Sequence, residues 1–377
     1  MNVLIVTNYR RGKSAGGPQV NHMIARHLEA AGHMVDFYSF EDAFSQRNKF
    51  VQYMGTALFP FKAIRAIRQM ETQYDLIQAD QGTLPASKKY LKTNAVVVYH
   101  SHGLQHFQKE YGNRAPSRSE TQGSLLGRAA GYVSHKLTRP DVLVDKCIQE
   151  ADVISAMNRD EYAFAQSRYP DKKVVLKPNG LTAARMRHLR EAGREAEDKL
   201  EQPTVGFIGV WNPRKGALDL PDIFQVIRRR HPDVQFHLMG TGRPADIVLN
   251  DFPPSLREAI DVTPSYAYDE LPNLLSDVTV GVLPSYIEGF GLAVLEMLAA
   301  GIPTVAYDVP GPRDMLGRLS ADVMTPPGDT DAMADTLNIL LDASAADYEC
   351  LSHHCVDVAR GFQWEDIVGD YEAQIFF

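Results

Sequence analysis

Two glutamates carry the clearest chemical content of this chain. Glu288 and Glu296 stand eight positions apart around the segment Glu288-Gly289-Phe290-Gly291-Leu292. An apolar run, Val278–Leu283, precedes the segment, and a helical stretch that stops at Gly301 follows it. Glycines at the mouth of a helix leave backbone N–H groups open, and with the helix dipole these attract phosphate or hydroxyl-rich ligands. Carboxylates accept paired hydrogen bonds from sugar hydroxyls. If the span were mostly helical, the two glutamates would lie about 12 Å apart, the order of distance from the sugar of a nucleotide-sugar to its ribose. Taken alone, such a pair is as readily a helix cap or a solvated face. A basic group, Lys215, sits in Gly209-Val210-Trp211-Asn212-Pro213-Arg214-Lys215-Gly216 after another apolar run. His100 and His102 close the run Val96–Tyr99, and alternation along a strand puts both on one face.

The elements needed to position these groups repeat a βα pattern. Short β-branched runs at Val3–Thr7, Met34–Tyr38, Leu76–Ala79, Ala95–Tyr99, Val153–Ala156 and Val174–Leu176 alternate with helical stretches such as Val20–Ala31. The pattern restarts at Val205–Val210, with a helix over Ala217–Arg230 and strands at Val234–Met239, Val278–Leu283 and Thr304–Tyr307. This predicts an α/β protein with two parallel sheets covered by helices. At 377 residues, two domains are the natural expectation. We place the N-terminal domain at 1–185, a charged linker at 186–202 and the C-terminal domain at 203–364.

The whole pattern resembles glycosyltransferase family 4, whose members are retaining enzymes of the GT-B fold. Its signature, two glutamates separated by seven residues with Gly-Phe-Gly after the first, is met by Glu288, Gly289, Phe290, Gly291 and Glu296. The likeness extends through Ala299–Val305, Pro310-Gly311, Pro327-Gly328-Asp329 and Phe362-Gln363-Trp364. It also takes in Lys177-Pro178-Asn179-Gly180, Gly32-His33 and Gly16-Gly17. The resemblance implies two Rossmann-like domains facing a central cleft, with a C-terminal helix, 365–377, packing back on the first. It makes Glu288 the carboxylate on the donor sugar and Glu296 the one on the ribose. The backbone of Phe290, Gly291 and Leu292 would meet sugar and phosphate. Lys215 would neutralise the diphosphate, Gly16 and Gly17 would admit it, and His102 would lie beside the sugar. One position departs from the pattern: where an arginine is usual, this chain has Val210 or Trp211, and the nearest arginine is Arg214.

The implied activity is transfer of a hexose-type sugar from a UDP- or GDP-sugar to a glycan or lipid-linked acceptor, as in cell-surface polysaccharide or glycolipid synthesis. The sequence nominates no nucleophile, and the resemblance implies front-face substitution, to which the protein contributes positioning and charge stabilisation. The rival readings are a GT-B epimerase or phosphorylase and a non-catalytic nucleotide-sugar-binding scaffold subunit.

Charge is uneven. Residues 1–190 hold 27 basic and 16 acidic residues, a balance of +11, and the remainder holds 12 and 31, a balance of −19. A basic half points to an anionic partner. The apolar and basic stretch Phe50–Phe61 with Lys62, Arg65 and Arg68 either lies on an anionic membrane or packs as a helix with a solvated basic face. Arg114, Arg118 and Arg128 fit the same acceptor surface. Nucleic acid is not expected, for want of a motif or stacking platform. The region 107–147 reads as a long acceptor-side loop with short helices.

No metal or other cofactor is expected. Asp329-Thr330-Asp331 spells D-x-D but precedes a helical run, where Thr330 or an aspartate serves as an N-cap. The Cys350, His353, His354, Cys355 cluster lacks a second ligand pair. Gly240-Thr241-Gly242 follows the second strand of its domain rather than the first, against dinucleotide binding. Three cysteines and a first strand where a signal sequence would start suggest a reducing, cytoplasmic setting, with peripheral contact at the inner membrane face.

Overall fold

The computed structural model describes residues 1–9, 16–44, 49–103, 114–116 and 140–376. The chain forms two compact units. One comprises Met1–Gln105, Ser119–Pro178 and Val368–Phe377, the other His106–Arg118 and Asn179–Ile367.

In the first unit the short apolar runs form β1 (Asn2–Val6), β2 (Met34–Tyr38), β3 (Leu76–Asp80), β4 (Val96–His100), β5 (Val153–Ala156) and β6 (Lys173–Leu176). They pair in parallel in the order β2-β1-β3-β4-β5-β6. Val3, Leu4, Ile5 and Val6 are fully buried, as expected for strands covered on both faces. The strand order reverses between β1 and β3. In an open parallel sheet the crevice at the carboxyl ends of such a strand pair is where ligands bind.

The second unit contains β7 (Thr204–Ile208), β8 (Gln235–Met239), β9 (Ile260–Thr263), β10 (Val280–Leu283), β11 (Thr304–Tyr307) and β12 (Met324–Thr325). Their order is β12-β11-β10-β7-β8-β9, again parallel throughout, with the switch point between β7 and β10. The helix Leu220–Arg230 buries Leu220, Ile223, Phe224 and Ile227 on one face, the spacing of an amphipathic helix. Phe224 stacks on Phe236 of β8 at 3.9 Å between ring centroids.

Several expectations need correction. Residues 186–202, read as a linker, are part of two helices, Ala183–Glu191 and Ala196–Glu201, that pack within the second unit. Thr182 caps the first by accepting from Arg185 N. Its charged sequence misleads because Arg185, Met186, Leu189 and Lys199 are the residues turned inward. The strands β9 and β12 went unread, β9 because Ile260–Thr263 mixes polar and apolar residues and buries only Ile260, β12 because it is two residues long. Within 107–147, Pro140–Glu150 is a helix, and apart from 114–116 the rest lies outside the described residues. Arg118 and Arg128 are therefore outside them as well. The stretch Phe50–Phe61 belongs to the helix Lys49–Ile67.

Candidate active site

In the second unit the site is built at the carboxyl ends of β7 and β10. After β7 the chain makes a short 3-10 turn, Pro213–Lys215, capped by the Asn212 side chain accepting from Lys215 N. Gly216 follows with φ of 71°, and a Cβ there would lie 2.0 Å from Pro284 O. Only glycine allows this approach. It seats the Lys215 turn directly against the loop after β10, and Tyr286 N donates to Arg214 O at 2.9 Å across the same seam. The Lys215 ammonium pairs with the Glu288 carboxylate, with 24% and 10% of the two side chains exposed.

The loop that carries Glu288 is held from beneath by Asp219. Its Oδ2 accepts from Tyr286 OH at 2.7 Å and Tyr307 OH at 2.6 Å, all three buried. Burial raises the Asp219 carboxyl above its ordinary range, and the two phenol donors pull it back. On the far side of the loop, Gly311 at φ 91° lies so close that a Cβ would stand 2.8 Å from Phe290 O. Phe290 is buried against Phe362.

Glu288 is on this loop and not on a helix. The helix begins only at Leu292, after Gly291 in a left-handed conformation, and runs to Ala299. The expectation of a mostly helical span between the glutamates is thus corrected. Glu296 lies in the second turn. Its Oε1 receives Arg185 Nη2 at 3.2 Å, with 4% of the arginine and 14% of the glutamate side chain exposed. The guanidinium also lies 3.8 Å from the Tyr268 ring centroid. Burial raises the Glu296 carboxyl, and Arg185 opposes that by charge and hydrogen bond.

The family model for Glycosyl transferases group 1 matches residues 202–343, the stretch that contains this site. Over 163 residues the chain is 31% identical to an alpha-D-kanosaminyltransferase of Streptomyces kanamyceticus, covering 43% of this chain and 41% of that protein. Over 284 residues it is 22% identical to a GDP-mannose:cellobiosyl-diphosphopolyprenol alpha-mannosyltransferase of Xanthomonas oryzae pv. oryzae, covering 73% and 72%. Among solved structures, a sucrose-phosphate synthase of Thermosynechococcus elongatus superposes with a TM-score of 0.70 at 17% identity, over 100% of this chain and 99% of that one. The chain is a glycosyltransferase of GT-B type.

In the first unit of this glycosyltransferase a second polar cluster stands at the carboxyl ends of β3 and β4. Asp80 Oδ2 accepts from Asn21 Nδ2 at 2.7 Å. Asp80 Oδ1 lies 3.0 Å from His102 Nε2, close but not aligned as a hydrogen bond. The His100 and His102 rings are 4.8 Å apart, so both histidines share one face as expected, although β4 ends at His100. Tyr9 packs edge-on to His102 at 5.3 Å. Lys177, at the end of β6, is fully buried with its Nζ 5.0 Å from the Tyr371 ring centroid and without a hydrogen-bond partner. Burial lowers the Lys177 amine to about 7, with Asp80 working against the shift. Burial, then the charge of Lys177, holds His100 well below the usual imidazole range. Asp80, His100 and His102 offer ligand atoms within 4.8 Å of one another, the one grouping among the described residues with the spacing of a cation site. Lys177 stands beside it.

Gly16 and Gly17 open the helix Gly16–Ala30 after β1. The Arg214 side chain is exposed. Trp211 is core, packed between Phe207 and Phe252 with its Nε1 donating to Asp251, while Val210 is 49% exposed. Of the two positions at which the usual arginine is missing, only Val210 faces outward. Asp329 is the N-cap of the helix Thr330–Leu341, accepting from Ala332 N, which accounts for the D-x-D spelling. Sequence reasoning missed Arg185, Asp219, Asp80 and the place of Lys177. For Asp80 a signal existed: an acidic residue at the end of an apolar strand is costly unless it has partners. Arg185 and Asp219 carried none.

Proposed function

We propose that this enzyme transfers a hexose-type sugar, with retention of anomeric configuration, from a UDP- or GDP-sugar to a glycan or lipid-linked acceptor. The observation that carries this reading is the pair of carboxylate–cation contacts in the second unit, Lys215 with Glu288 and Arg185 with Glu296, the first at the strand switch point. Glu288 binds sugar hydroxyls and Glu296 the ribose diol. The main chain of Gly289, Phe290, Gly291 and Leu292 lies along sugar and phosphate. On donor binding Lys215 turns from Glu288 to the diphosphate, whose charge grows as the glycosidic bond breaks. Lys215 and Arg214 supply the positive charge, and no metal is needed. The leaving phosphate takes the acceptor proton, so the protein contributes position and charge rather than a general base. Gly16, Gly17 and His102 keep the roles that the resemblance gives them, and the first unit carries the acceptor. The α-glycosyl products in two relatives' names and the diphosphopolyprenol in one support retention and a lipid-linked acceptor.

The same reading includes contact with an anionic membrane. On the helix Lys49–Ile67, Phe59 and Ala63 face the core, whereas Phe61 is 68% exposed beside exposed Lys62 and Arg65. Arg68 lies over the half-exposed Tyr90 ring at 4.6 Å. No helix among the described residues is long and apolar enough to cross a membrane.

The test is calorimetry with UDP- and GDP-sugars in the presence of a chelator. One donor binds, and Glu296→Ala weakens it at least tenfold, about 1.4 kcal/mol. No binding of any nucleotide-sugar to the folded protein would remove the reading.

A further inference from the structure

Arg185 occupies an unusual place for an arginine. It belongs to the helix Ala183–Glu191, in a stretch whose composition looks like a solvated linker, yet only 5% of the residue is exposed. Its guanidinium spends one nitrogen on Glu296 Oε1 and lays a face on Tyr268, while its Nε has no hydrogen-bond partner. The two residues are 111 positions apart, and their helices pack directly on each other. Glu296 itself rises from a helix whose neighbours Val294, Leu295, Met297 and Leu298 are buried apolar residues. A carboxyl there takes up a proton unless something opposes it. A protonated carboxyl is a poor acceptor for a vicinal diol, because one of its oxygens has become a donor.

We infer that Arg185 is the positioning residue of the nucleotide-sugar site: it keeps Glu296 ionised and fixes its rotamer, so that the oxygen left free of Arg185 is presented to the ribose. This rests on the reading of Glu296 as the ribose carboxylate. The groups set against Glu296 are few. Arg185 comes from the helix Ala183–Glu191, and Tyr266 and Tyr268 from the segment after β9. Burial raises both phenols, so neither carries charge near neutral pH. On the other elements packed against this helix, Arg190 bonds Ser352, Tyr348 bonds Thr279 O, Arg313 pairs with Asp308 and Tyr307 bonds Asp219. Arg185 is thus the charged partner that decides the state of Glu296.

Removing Arg185 takes away the interaction that lowers the Glu296 carboxyl, so the group titrates at higher pH and donor affinity comes to depend on it. The experiment measures the Kd of the bound UDP- or GDP-sugar by calorimetry between about pH 6.5 and 8.5 for wild type, Arg185→Met, Arg185→Lys, Glu296→Gln and the double variant. We expect wild-type affinity to vary less than about twofold over this range. Arg185→Met should bind at least about tenfold more weakly at the acid end and recover severalfold toward the alkaline end, and Arg185→Lys should regain part of the loss. In the Glu296→Gln background, Arg185→Met should cost little more, because the two act through one group. A loss that is the same at every pH, or that adds fully to that of Glu296→Gln, overturns the inference and leaves Arg185 a structural residue. Retained affinity in Arg185→Met overturns it too. If Glu296→Gln alone leaves donor binding unchanged, it is the ribose assignment that fails, and that outcome is distinct from the others. Circular dichroism and Tm of each variant verify that it is folded.

Discussion

Both units place polar groups at the carboxyl ends of their parallel strands and treat their charges in opposite ways. In the second unit each carboxylate of the site meets a cation brought from a distant part of the chain, Glu288 with Lys215 and Glu296 with Arg185. In the first unit, Asp80 is shared by Asn21 and His102, while Lys177 and His100 are buried without hydrogen-bond partners. A paired, partly exposed carboxylate stays ionised and can hand its charge to a ligand at little cost. A buried amine without a hydrogen bond shifts its own protonation instead. In the second site each carboxylate thus has an opposite charge beside it, whereas in the first, burial lowers the Lys177 amine to about 7.

That contrast can be broken most severely at Lys215. Lys215→Ala should lower kcat by about 10² to 10³, as loss of a group stabilising a leaving diphosphate would. It should also leave Glu288 without its cation. Steady-state transfer assays over a range of donor concentrations measure the effect. An unchanged kcat would mean that the Lys215–Glu288 pair is only structural. Next in size is the Asp219 support. Asp219→Ala leaves two buried phenol hydroxyls without an acceptor and should cost about 2–4 kcal/mol in unfolding free energy, with the loss of a correctly set Glu288 loop. Denaturant unfolding measures it, and Tyr286→Phe should cost less because it removes only one of the two bonds.

Lys177 sharpens the other side of the comparison. Its amine titrates at about 7 in the folded protein against about 10.4 in an unfolded chain. Between those values the unfolded state binds the extra proton, so wild-type stability should rise with pH through this window. Lys177→Met should abolish that slope, and the change in unfolding free energy across about pH 7 to 9 should be about 1–3 kcal/mol. Chemical denaturation at several pH values measures it, and parallel slopes in the two proteins would show that the amine is not so placed. The smallest effect is expected at the surface. Phe61→Ser with Lys62→Ser should leave soluble-donor binding unchanged and reduce sedimentation with anionic vesicles by about tenfold, an effect that high salt also produces.

How much of this was legible beforehand depended on the physics of each part. The fold was legible because buried parallel strands must be short apolar runs, and ten of the twelve strands among the described residues stand out as such. The missing two, Ile260–Thr263 and Met324–Thr325, are too short or too polar to carry a period. The Glu288–Glu296 segment was legible as chemistry because its two carboxylates flank glycines at a helix mouth in a spelling that resembles a known family's signature. Its geometry was not, since a loop and a helix can follow the same letters until Gly291 adopts its left-handed turn. The stretch 183–201 was misread because charge composition reports the average residue and not the one turned inward.

The order of elements, the apolar runs and the signature residues were determined by local sequence, since period, glycine content and capping act over a few residues. Only the tertiary structure decided the partners. Arg185 and Glu296 are 111 positions apart, Lys215 and Glu288 are 73, and Tyr307 and Asp219 are 88. Such pairs form because burial makes an isolated charge or hydroxyl costly, and which partner relieves that cost is set by packing at long range.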